Sequence, residues 1–236
     1  HDRVRECLKH YELPSNIEIC SFSDVPVRGT GLGSSSTFTV GLINALHRIK
    51  TGKNIDVNEL AELASYIEII KCNEPIGKQD QFAAAYGGFN TIHFENGKTR
   101  VKHLDIDQMT LMELDHNLLA FNTGINRQAS SILNKQVENL KNQMAIENTK
   151  AMVEFAKTGV KLLQKKKIDD FGHLLDDAWQ VKKKLTDNIS NDTIDEMYHR
   201  AMTNGALGGK ILGAGGGGYL LVYVQEKNRN RLSWAP

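Results

Sequence analysis

Four glycines in a row, residues 215–218, stand directly before the apolar stretch YLLVYV in the last part of the chain. The composition of that stretch predicts a buried strand. Glycine beside a strand weakens it and costs conformational entropy, so a run of four has no ordinary use in packing. Close approach of the backbone to a ligand, or to another loop of the chain, explains the run better.

The same region formally matches the glycine pattern of dinucleotide-binding proteins through Gly213, Gly215 and Gly218. That pattern requires a helix after the glycines, because the helix N-terminus receives the pyrophosphate. A strand is predicted there instead, so the match is only formal. A dinucleotide-dependent oxidoreductase stays open as an alternative that rests on this match alone.

A second glycine-rich loop, RGTGLGSSSTF at residues 28–38, runs into a segment with the apolar spacing of a helix. Glycine reaches backbone angles that other residues avoid, several N–H groups can then face one anion, and a helix N-terminus adds partial positive charge. The hydroxyls of Ser34, Ser35 and Ser36 can bind phosphate or a magnesium ion. The loop therefore indicates a phosphate site, with a tight strand-to-helix turn capped by the serines as the open alternative.

Two common phosphate-binding patterns do not describe this loop. A Walker A loop ends in Gly-Lys-Ser/Thr, and the segment contains no lysine. The dinucleotide pattern fails because Ser36 stands where the third glycine would follow Gly31 and Gly33. Any phosphate site here is thus of another type.

The charge balance argues for a small-molecule partner. The 236 residues carry 29 basic and 28 acidic side chains, which gives no overall field toward nucleic acid or an anionic membrane. Three cysteines without metal-site spacing predict reduced thiols and a cytoplasmic protein. The least polar stretch, residues 211–224, is too short and too rich in glycine to cross a bilayer. The length allows one large domain or two small ones.

Hydrophobic periodicity predicts a chain that mixes helices and strands. Helices are predicted at residues 1–11, 34–51, 56–71, in a short segment ending at Gly87, and at 127–144, 148–165, 169–185 and 192–204. The helix at 34–51 is expected to turn one side inward, comprising Phe38, Leu42, Ala45, Leu46 and Ile49. Asp56 and Glu59 have the spacing of a capping box.

Strands are predicted in the first half of residues 16–27, at 117–121 and after Gly218, with a hairpin at 89–104 around Asn96-Gly97. The pattern loosens between residues 105 and 116. We therefore expect a domain boundary there and assign domains to residues 1–114 and 115–236.

Two acidic residues and one arginine are candidates for chemistry. Asp80 lies between two glutamines in a loop that opens a helix, where its carboxylate could accept a hydroxyl proton, and Glu68 on the preceding helix could face a metal. A helix cap for Asp80 and a solvated surface charge for Glu68 are equally open. Arg127 could share an anion with the helix that it begins, or form a surface salt bridge.

Four stretches, taken in order, resemble the GHMP kinase superfamily, which includes galactokinase, homoserine kinase and mevalonate kinase. They are VPVRGTGLGSSSTF, EIIKCNEPIGKQDQ, AFNTGINRQAS and GALGGKILGAGGGGY, and the similarity extends from about Ile17 to Val224. Within the superfamily they are most similar to the D-glycero-D-manno-heptose 7-phosphate kinases. The resemblance implies an α+β fold of two lobes, a ribosomal-protein-S5-like N-terminal lobe and a ferredoxin-like C-terminal lobe.

The resemblance also implies roles for individual residues. The ATP phosphates would be bound by the two loops, through Gly29, Gly31, Leu32, Gly33, Ser34, Ser35, Ser36, Gly213, Ala214, Gly215 and Gly216. Ser35 and Glu68 would hold Mg²⁺, and Asp80 would act as the base, because the spacing of Glu68 and Asp80 is similar to that of the galactokinase pair. The acceptor is assigned to Thr123, Gly124 and Gly217, and Arg127 is assigned to the acceptor's phosphate as a hypothesis that the resemblance itself does not supply.

One departure from the family pattern bears on the acceptor. Family members begin with a strand and a motif of the type R…GGGTD that helps to bind the sugar, and this sequence does not contain it. We therefore expect the complete protein to have further residues upstream of His1.

The leading hypothesis is ATP-dependent phosphorylation of the anomeric hydroxyl of the heptose 7-phosphate, for nucleotide-activated heptose and surface glycans. A fucokinase-like sugar 1-kinase and a non-catalytic nucleotide- or sugar-binding protein are the alternatives. The expected partners are ATP, Mg²⁺ and a small sugar phosphate, with the oligomeric state left open and a homodimer as one option.

Overall fold

The structure is a computed structural model that describes residues 1–14, 16–25, 29–95, 97–126, 129–139 and 142–232. By its internal contacts the chain divides into two compact units. The first comprises His1–Arg28 and Gly33–Leu104, and the second comprises Gly29–Leu32 and Asp105–Pro236. The short Gly29–Leu32 segment thus belongs with the C-terminal part of the chain.

The first unit consists of helices and one hairpin. Its elements are α1 (Asp2–His10), α2 (Ser34–Thr51), α3 (Val57–Ser65), a π-helical segment (Tyr66–Lys71), α4 (Gln79–Tyr86), β1 (Asn90–Glu95) and β2 (Lys98–His103). The two strands pair antiparallel. Helices α1, α2 and α3 and the π-helical segment share one apolar core, in which Cys7, Ile43, Ala64 and Ile67 are almost fully buried.

Local signals explain where these helices begin and end. Asp56 accepts hydrogen bonds from the backbone N–H groups of Asn58 and Glu59, so it caps α3 as its sequence position predicts. Helix α2 ends at Gly52, whose φ of 74° is the left-handed conformation that glycine supplies at helix ends.

The second unit packs helices on a small sheet. Its elements are α5 (Gln108–Asn117), β3 (Leu118–Asn122), α6 (Ala129–Asn139), α7 (Gln143–Gln164), α8 (Ile168–Lys182), α9 (Asp192–Thr203), β4 (Ala206–Ile211), β5 (Tyr219–Val224), α10 (Glu226–Arg229) and a 3-10 turn (Asn230–Leu232). The sheet has the order β3-β5-β4, with both pairings antiparallel. Trp179, Ile189 and Val222 lie fully buried in its core.

Strand β4 is absent from the sequence prediction, which places no strand between the helix ending at residue 204 and Gly218. A Cβ atom on Gly208 would lie 2.1 Å from the carbonyl oxygen of Gly172 in α8, and one on Gly209 would lie 2.4 Å from that of Leu221 in β5. These glycines therefore let helix and strand backbones approach closely, a use of glycine within strands that composition does not reveal.

The α+β class and most helix and hairpin positions are confirmed, but helix α5 was not predicted, and two further details differ. Residues 16–25 form no strand in the part of the chain that is described, since no ladder pairs with them. On α2, Ala45 and Ile49 are exposed, and Val40 and Ile43 turn inward with Leu42 and Leu46.

The predicted domain boundary can be compared with the contacts of the folded chain. Helix α5 runs across residue 114, and the contacts divide the chain earlier, after Leu104. The assignment of domains to residues 1–114 and 115–236 stays a prediction. None of the described helices combines the length and apolarity needed to span a membrane.

Candidate active site

In the second unit the two glycine-rich loops meet. The Gly29–Leu32 segment lies against the β4–β5 loop, residues 212–218, and the backbone N–H of Tyr219 donates to the carbonyl oxygen of Thr30 at 3.1 Å. A Cβ atom on Gly31 would lie 2.4 Å from the carbonyl oxygen of Leu212, and one on Gly213 would lie 2.8 Å from the Cα of Gly31. Of the two explanations for the glycine run, approach to another loop is therefore realised.

The β4–β5 loop presents several backbone amides. Its glycines 213 and 215–218 all have positive φ, between 65° and 155°. The N–H of Gly216 donates to the carbonyl oxygen of Ile189, and the N–H of Gly218 to that of Ile125. The amides of Ala214, Gly215 and Gly217 donate to no group in the described part of the chain. They are available to an anion.

Gly31 tolerates no side chain, which gives a direct test of this contact. We expect Gly31→Ala to destabilise the second unit by at least roughly 2 kcal/mol, because a left-handed backbone and a clash with the Leu212 carbonyl add together. The measurement is chemical denaturation. Gly124→Ala is the matched control, since Gly124 has φ of 71° but open space around its Cβ position. Equal losses in both variants would contradict the contact.

The predicted acceptor residues lie beside this loop, as far as they are described. Thr123 donates from its backbone N–H and from Oγ1 to the carbonyl oxygen of Gly218, at 2.9 and 2.8 Å. Gly124 has a left-handed backbone and donates to Asn122 Oδ1. Arg127 lies outside the described residues, so its assignment stays a prediction.

In the first unit, the N-terminus of α2 carries the three serines. Gly33 precedes the helix with φ of 70°, and among the described side chains none caps this end. The hydroxyls of Ser35 and Ser36 do not cap the helix, because both are bound by other side chains. Ser36 Oγ instead donates to Glu68 Oε2 at 2.8 Å, and Ser35 Oγ accepts from Arg3 Nη1 at 2.5 Å. The first-turn N–H groups of α2 lack intrahelical acceptors, as at every helix start.

Glu68 lies at the centre of a buried polar cluster. Its side chain is fully buried in the π-helical segment, which overturns the surface-charge alternative. Thr39 Oγ1 donates to Oε1 at 2.5 Å, and Gln81 Nε2 donates to Oε2. The Oε1 atom of Gln81 is buried and accepts from no described donor. Buried carboxylates require such donors, because an unpaired buried charge is costly.

Arg3 joins this cluster and was not identified from the sequence. Its Nη1 lies 3.2 Å from Glu68 Oε1, while Nε and Nη2 donate to the two carboxylate oxygens of Glu74 at 2.8 and 2.6 Å. Burial alone lowers the pKa of Arg3, but the hydrogen bonds to Glu74 and the charge of Glu68 outweigh it and raise the pKa. One guanidinium thus bridges Ser35, Glu68 and Glu74.

Asp80 lies in the first turn of α4, close to the start of α2. A Cβ atom on Gly33 would lie 3.4 Å from the Asp80 carboxyl carbon. The helix-cap alternative is wrong, because α4 follows Lys78 and has no side-chain cap among the described residues. Although the side chain keeps exposed surface, partial burial raises the pKa of Asp80, and the charge of Glu68 raises it further.

The chemistry of Ser35 and Glu68 can be compared with the ligands that a magnesium ion requires. Hydroxyl and carboxylate oxygens are the ligands that Mg²⁺ takes, and Ser35 Oγ and Glu68 Oε1 already share one positive charge, that of Arg3 Nη1. No group of three or more His, Cys, Asp or Glu in the described ranges could hold a metal by itself. The donor set therefore fits an ion that also takes oxygens from a bound phosphate.

Comparison with known proteins identifies the family. The models described as GHMP kinases N terminal domain and GHMP kinases C terminal match residues 2–88 and 160–232, well over half of the chain between them. The chain belongs to the GHMP kinases. Both the resemblance and the fold assignment made from the sequence are confirmed.

Individual GHMP kinases show how far the similarity extends. D-glycero-alpha-D-manno-heptose 7-phosphate kinase of Campylobacter jejuni is 34% identical over 93% of this chain and 64% of its own length. The bifunctional fucokinase/GDP-fucose pyrophosphorylase of Arabidopsis thaliana is 28% identical over 91% of this chain and 20% of its own.

A solved structure, that of a D-glycero-D-manno-heptose 1-phosphate kinase from Bacteroides thetaiotaomicron, matches with a TM-score of 0.68. It is 24% identical and is covered to 65%, with 97% of this chain matched. The similarity in structure supports the GHMP kinase fold. The chain spans about two thirds of the length of the heptose kinases it matches.

Proposed function

We propose that the protein is an ATP-dependent sugar kinase that phosphorylates the anomeric hydroxyl of D-glycero-D-manno-heptose 7-phosphate. The observation that carries the proposal is the Asp80 carboxylate beside Gly33, at the helix start that would receive the phosphates. A base next to a phosphate-binding helix N-terminus is the arrangement that phosphoryl transfer requires. The 34% identity to a heptose 7-phosphate kinase supports the choice of acceptor.

Backbone amides and Asp80 would have different roles in the reaction. The N–H groups at the start of α2 and those of Ala214, Gly215 and Gly217 would bind phosphate oxygens, which carry the charge that develops during transfer. Asp80 would orient the acceptor hydroxyl and accept its proton, and its raised pKa favours that proton transfer. The product would be the 1,7-bisphosphate.

Ser35 and Glu68 would hold Mg²⁺, which neutralises phosphate charge when bound. For both residues to serve, Arg3 Nη1 must leave the position between them. Glu74 offers the guanidinium a second attachment through two hydrogen bonds, so Arg3 can keep an ionic partner. The cation requirement is part of this proposal.

A fucokinase-like 1-kinase is the second candidate, because the chain is also similar to a bifunctional fucokinase/GDP-fucose pyrophosphorylase. The two candidates differ in whether the acceptor already carries a phosphate. The oxidoreductase alternative is not supported, because the glycines that matched the dinucleotide pattern lead into strand β5 and not into a helix. The non-catalytic alternative predicts ATP binding without turnover.

The test is magnesium-dependent ADP release from ATP by the full-length protein, with heptose 7-phosphate, free fucose, galactose and mannose as acceptors. We expect turnover with the phosphorylated heptose and at least about a 100-fold lower kcat/KM with the free sugars, because unpaired phosphate-binding groups penalise an acceptor without phosphate. Turnover of a free sugar would replace the heptose assignment. ATP binding without turnover of any of the four would favour the non-catalytic alternative.

A further inference from the structure

A buried lysine lies directly beneath the β4–β5 loop and has no part in the function proposed so far. Lys182 is the last residue of α8 and is only 8% exposed. Its Nζ donates to the carbonyl oxygen of Gly213 at 2.6 Å and to that of Ile211 at 3.1 Å. Lysine is almost never buried unless its charge is paired or well hydrogen-bonded, and these two carbonyl contacts help to meet that requirement.

The contact to Gly213 fixes the direction of a neighbouring amide. In a trans peptide the C=O and the following N–H point to opposite sides of the chain. The peptide that joins Gly213 to Ala214 therefore directs the Ala214 N–H away from Lys182 while the Gly213 carbonyl is bound. That N–H is one of the loop amides with no acceptor in the described part of the chain.

The contact to Ile211 holds the other end of the same turn. The next amide, Leu212 N–H, donates to the carbonyl oxygen of Tyr219 at 2.9 Å, so strands β4 and β5 close the loop at its base. A positive charge on the Ile211 and Gly213 carbonyls also polarises the peptides that carry them and strengthens the N–H groups of those peptides as donors. Both effects favour an anion on the open side of the loop.

We propose that Lys182 is a positioning residue for the phosphate site: by binding the Gly213 and Ile211 carbonyls it directs the Ala214 N–H at a nucleotide polyphosphate. This inference rests on the proposed nucleotide binding by the β4–β5 loop. Lys182 itself touches the loop and not the reacting atoms. A residue with this role should affect the affinity for the phosphates of a nucleotide and leave the affinity for the nucleoside unchanged.

The experiment compares ATP and adenosine binding to Lys182→Met in the full-length protein by calorimetry. We expect ATP affinity to fall about 10- to 100-fold, the size of a lost hydrogen bond to a charged group, while adenosine affinity changes less than about twofold. Lys184→Met is the matched control, because Lys184 is exposed and two residues away. It should leave both affinities unchanged.

The outcomes distinguish failure of the positioning role of Lys182 from failure of the proposed nucleotide site. Unchanged ATP binding in Lys182→Met, or an equal loss of ATP and adenosine binding, would overturn the positioning role. If the wild-type protein binds adenosine but gains no affinity from the phosphates of ATP, the proposed nucleotide site itself fails.

A second measurement covers the case in which Lys182→Met does not fold. In the wild-type protein, the amide proton resonance of Ala214 is expected to move strongly downfield on addition of ADP and to move little with adenosine, as a new charged acceptor requires. An unmoved Ala214 resonance in a protein that binds ADP would overturn the inference.

Discussion

Replacing Asp80 by asparagine is expected to lower turnover about 10²- to 10⁴-fold while leaving ATP affinity nearly unchanged. Asparagine keeps the shape of the side chain next to Gly33 but cannot accept the proton of the acceptor hydroxyl. The measurement is kcat with saturating ATP and acceptor, together with ATP affinity by calorimetry. Asp115→Asn, an exposed carboxylate on α5, is the matched control and should behave as wild type.

The raised pKa of Asp80 predicts how turnover and folding stability should each change with pH. Because the proposed base must be ionised, kcat of the wild type should fall as pH drops through the pKa of Asp80, which is raised from the ordinary value of an aspartate. The folded state binds the proton more tightly than the unfolded state, so ionised Asp80 lowers stability at neutral pH. Asp80→Asn should therefore be at least as stable as wild type at pH 7.

Two results would contradict this account of Asp80. Unchanged turnover in Asp80→Asn would remove the residue from the mechanism. Lost turnover accompanied by lost stability or lost ATP binding would show that the carboxylate supports the structure of the site and does not act as a base.

Replacing Glu68 by alanine is expected to cost about 3–5 kcal/mol of unfolding free energy, because it leaves the buried Arg3 charge with half of its counter-charge. The hydroxyls of Ser36 and Thr39 would also lose their carboxylate acceptor. Urea denaturation measures the loss. Glu62→Ala is the control, since Glu62 forms an ion pair with Lys78 that is more than a third exposed on both sides, and should cost about 1 kcal/mol or less.

Glu68→Gln separates stability from cation binding. It keeps the volume of the side chain and an oxygen acceptor, so part of the hydrogen bonding survives, but it removes the negative charge that attracts a divalent cation. We expect a raised magnesium requirement even where the variant is folded. A stable Glu68→Ala variant with wild-type magnesium dependence would assign the cluster around Glu68 no role of either kind.

The features that the sequence predicted correctly are local ones. The cap at Asp56, the glycine stop at Gly52 and the hairpin between β1 and β2 all depend on residues within a few positions of one another. Strand β4 was missed because its glycines serve contacts with α8 and β5 that only the folded chain creates. The strand predicted in the first half of residues 16–27 was wrong for a related reason: an alternating pattern forms a strand only where a partner strand pairs with it.

In the candidate site, too, some residues could be predicted from the sequence and others could not. The glycines and Asp80 were found because their spacing resembles a family pattern, and the structure then set Asp80 beside Gly33. Arg3 and Lys182 carried no local signal, since they reach Glu68 and Gly213 across long stretches of sequence. Buried cations of this kind look like ordinary charged helix faces until the packing is known.

The placement of Gly29–Leu32 in the second unit has a consequence for how the chain acquires its structure. The carbonyl oxygen of Thr30 is synthesised long before its donor, the amide of Tyr219. The second unit also needs the Gly29–Leu32 segment, so residues 105–236 alone do not complete it. Contacts so distant along the chain form slowly, because a long loop must close before they stabilise anything. Hydrogen exchange at the Tyr219 amide during refolding would therefore report the last step of assembly.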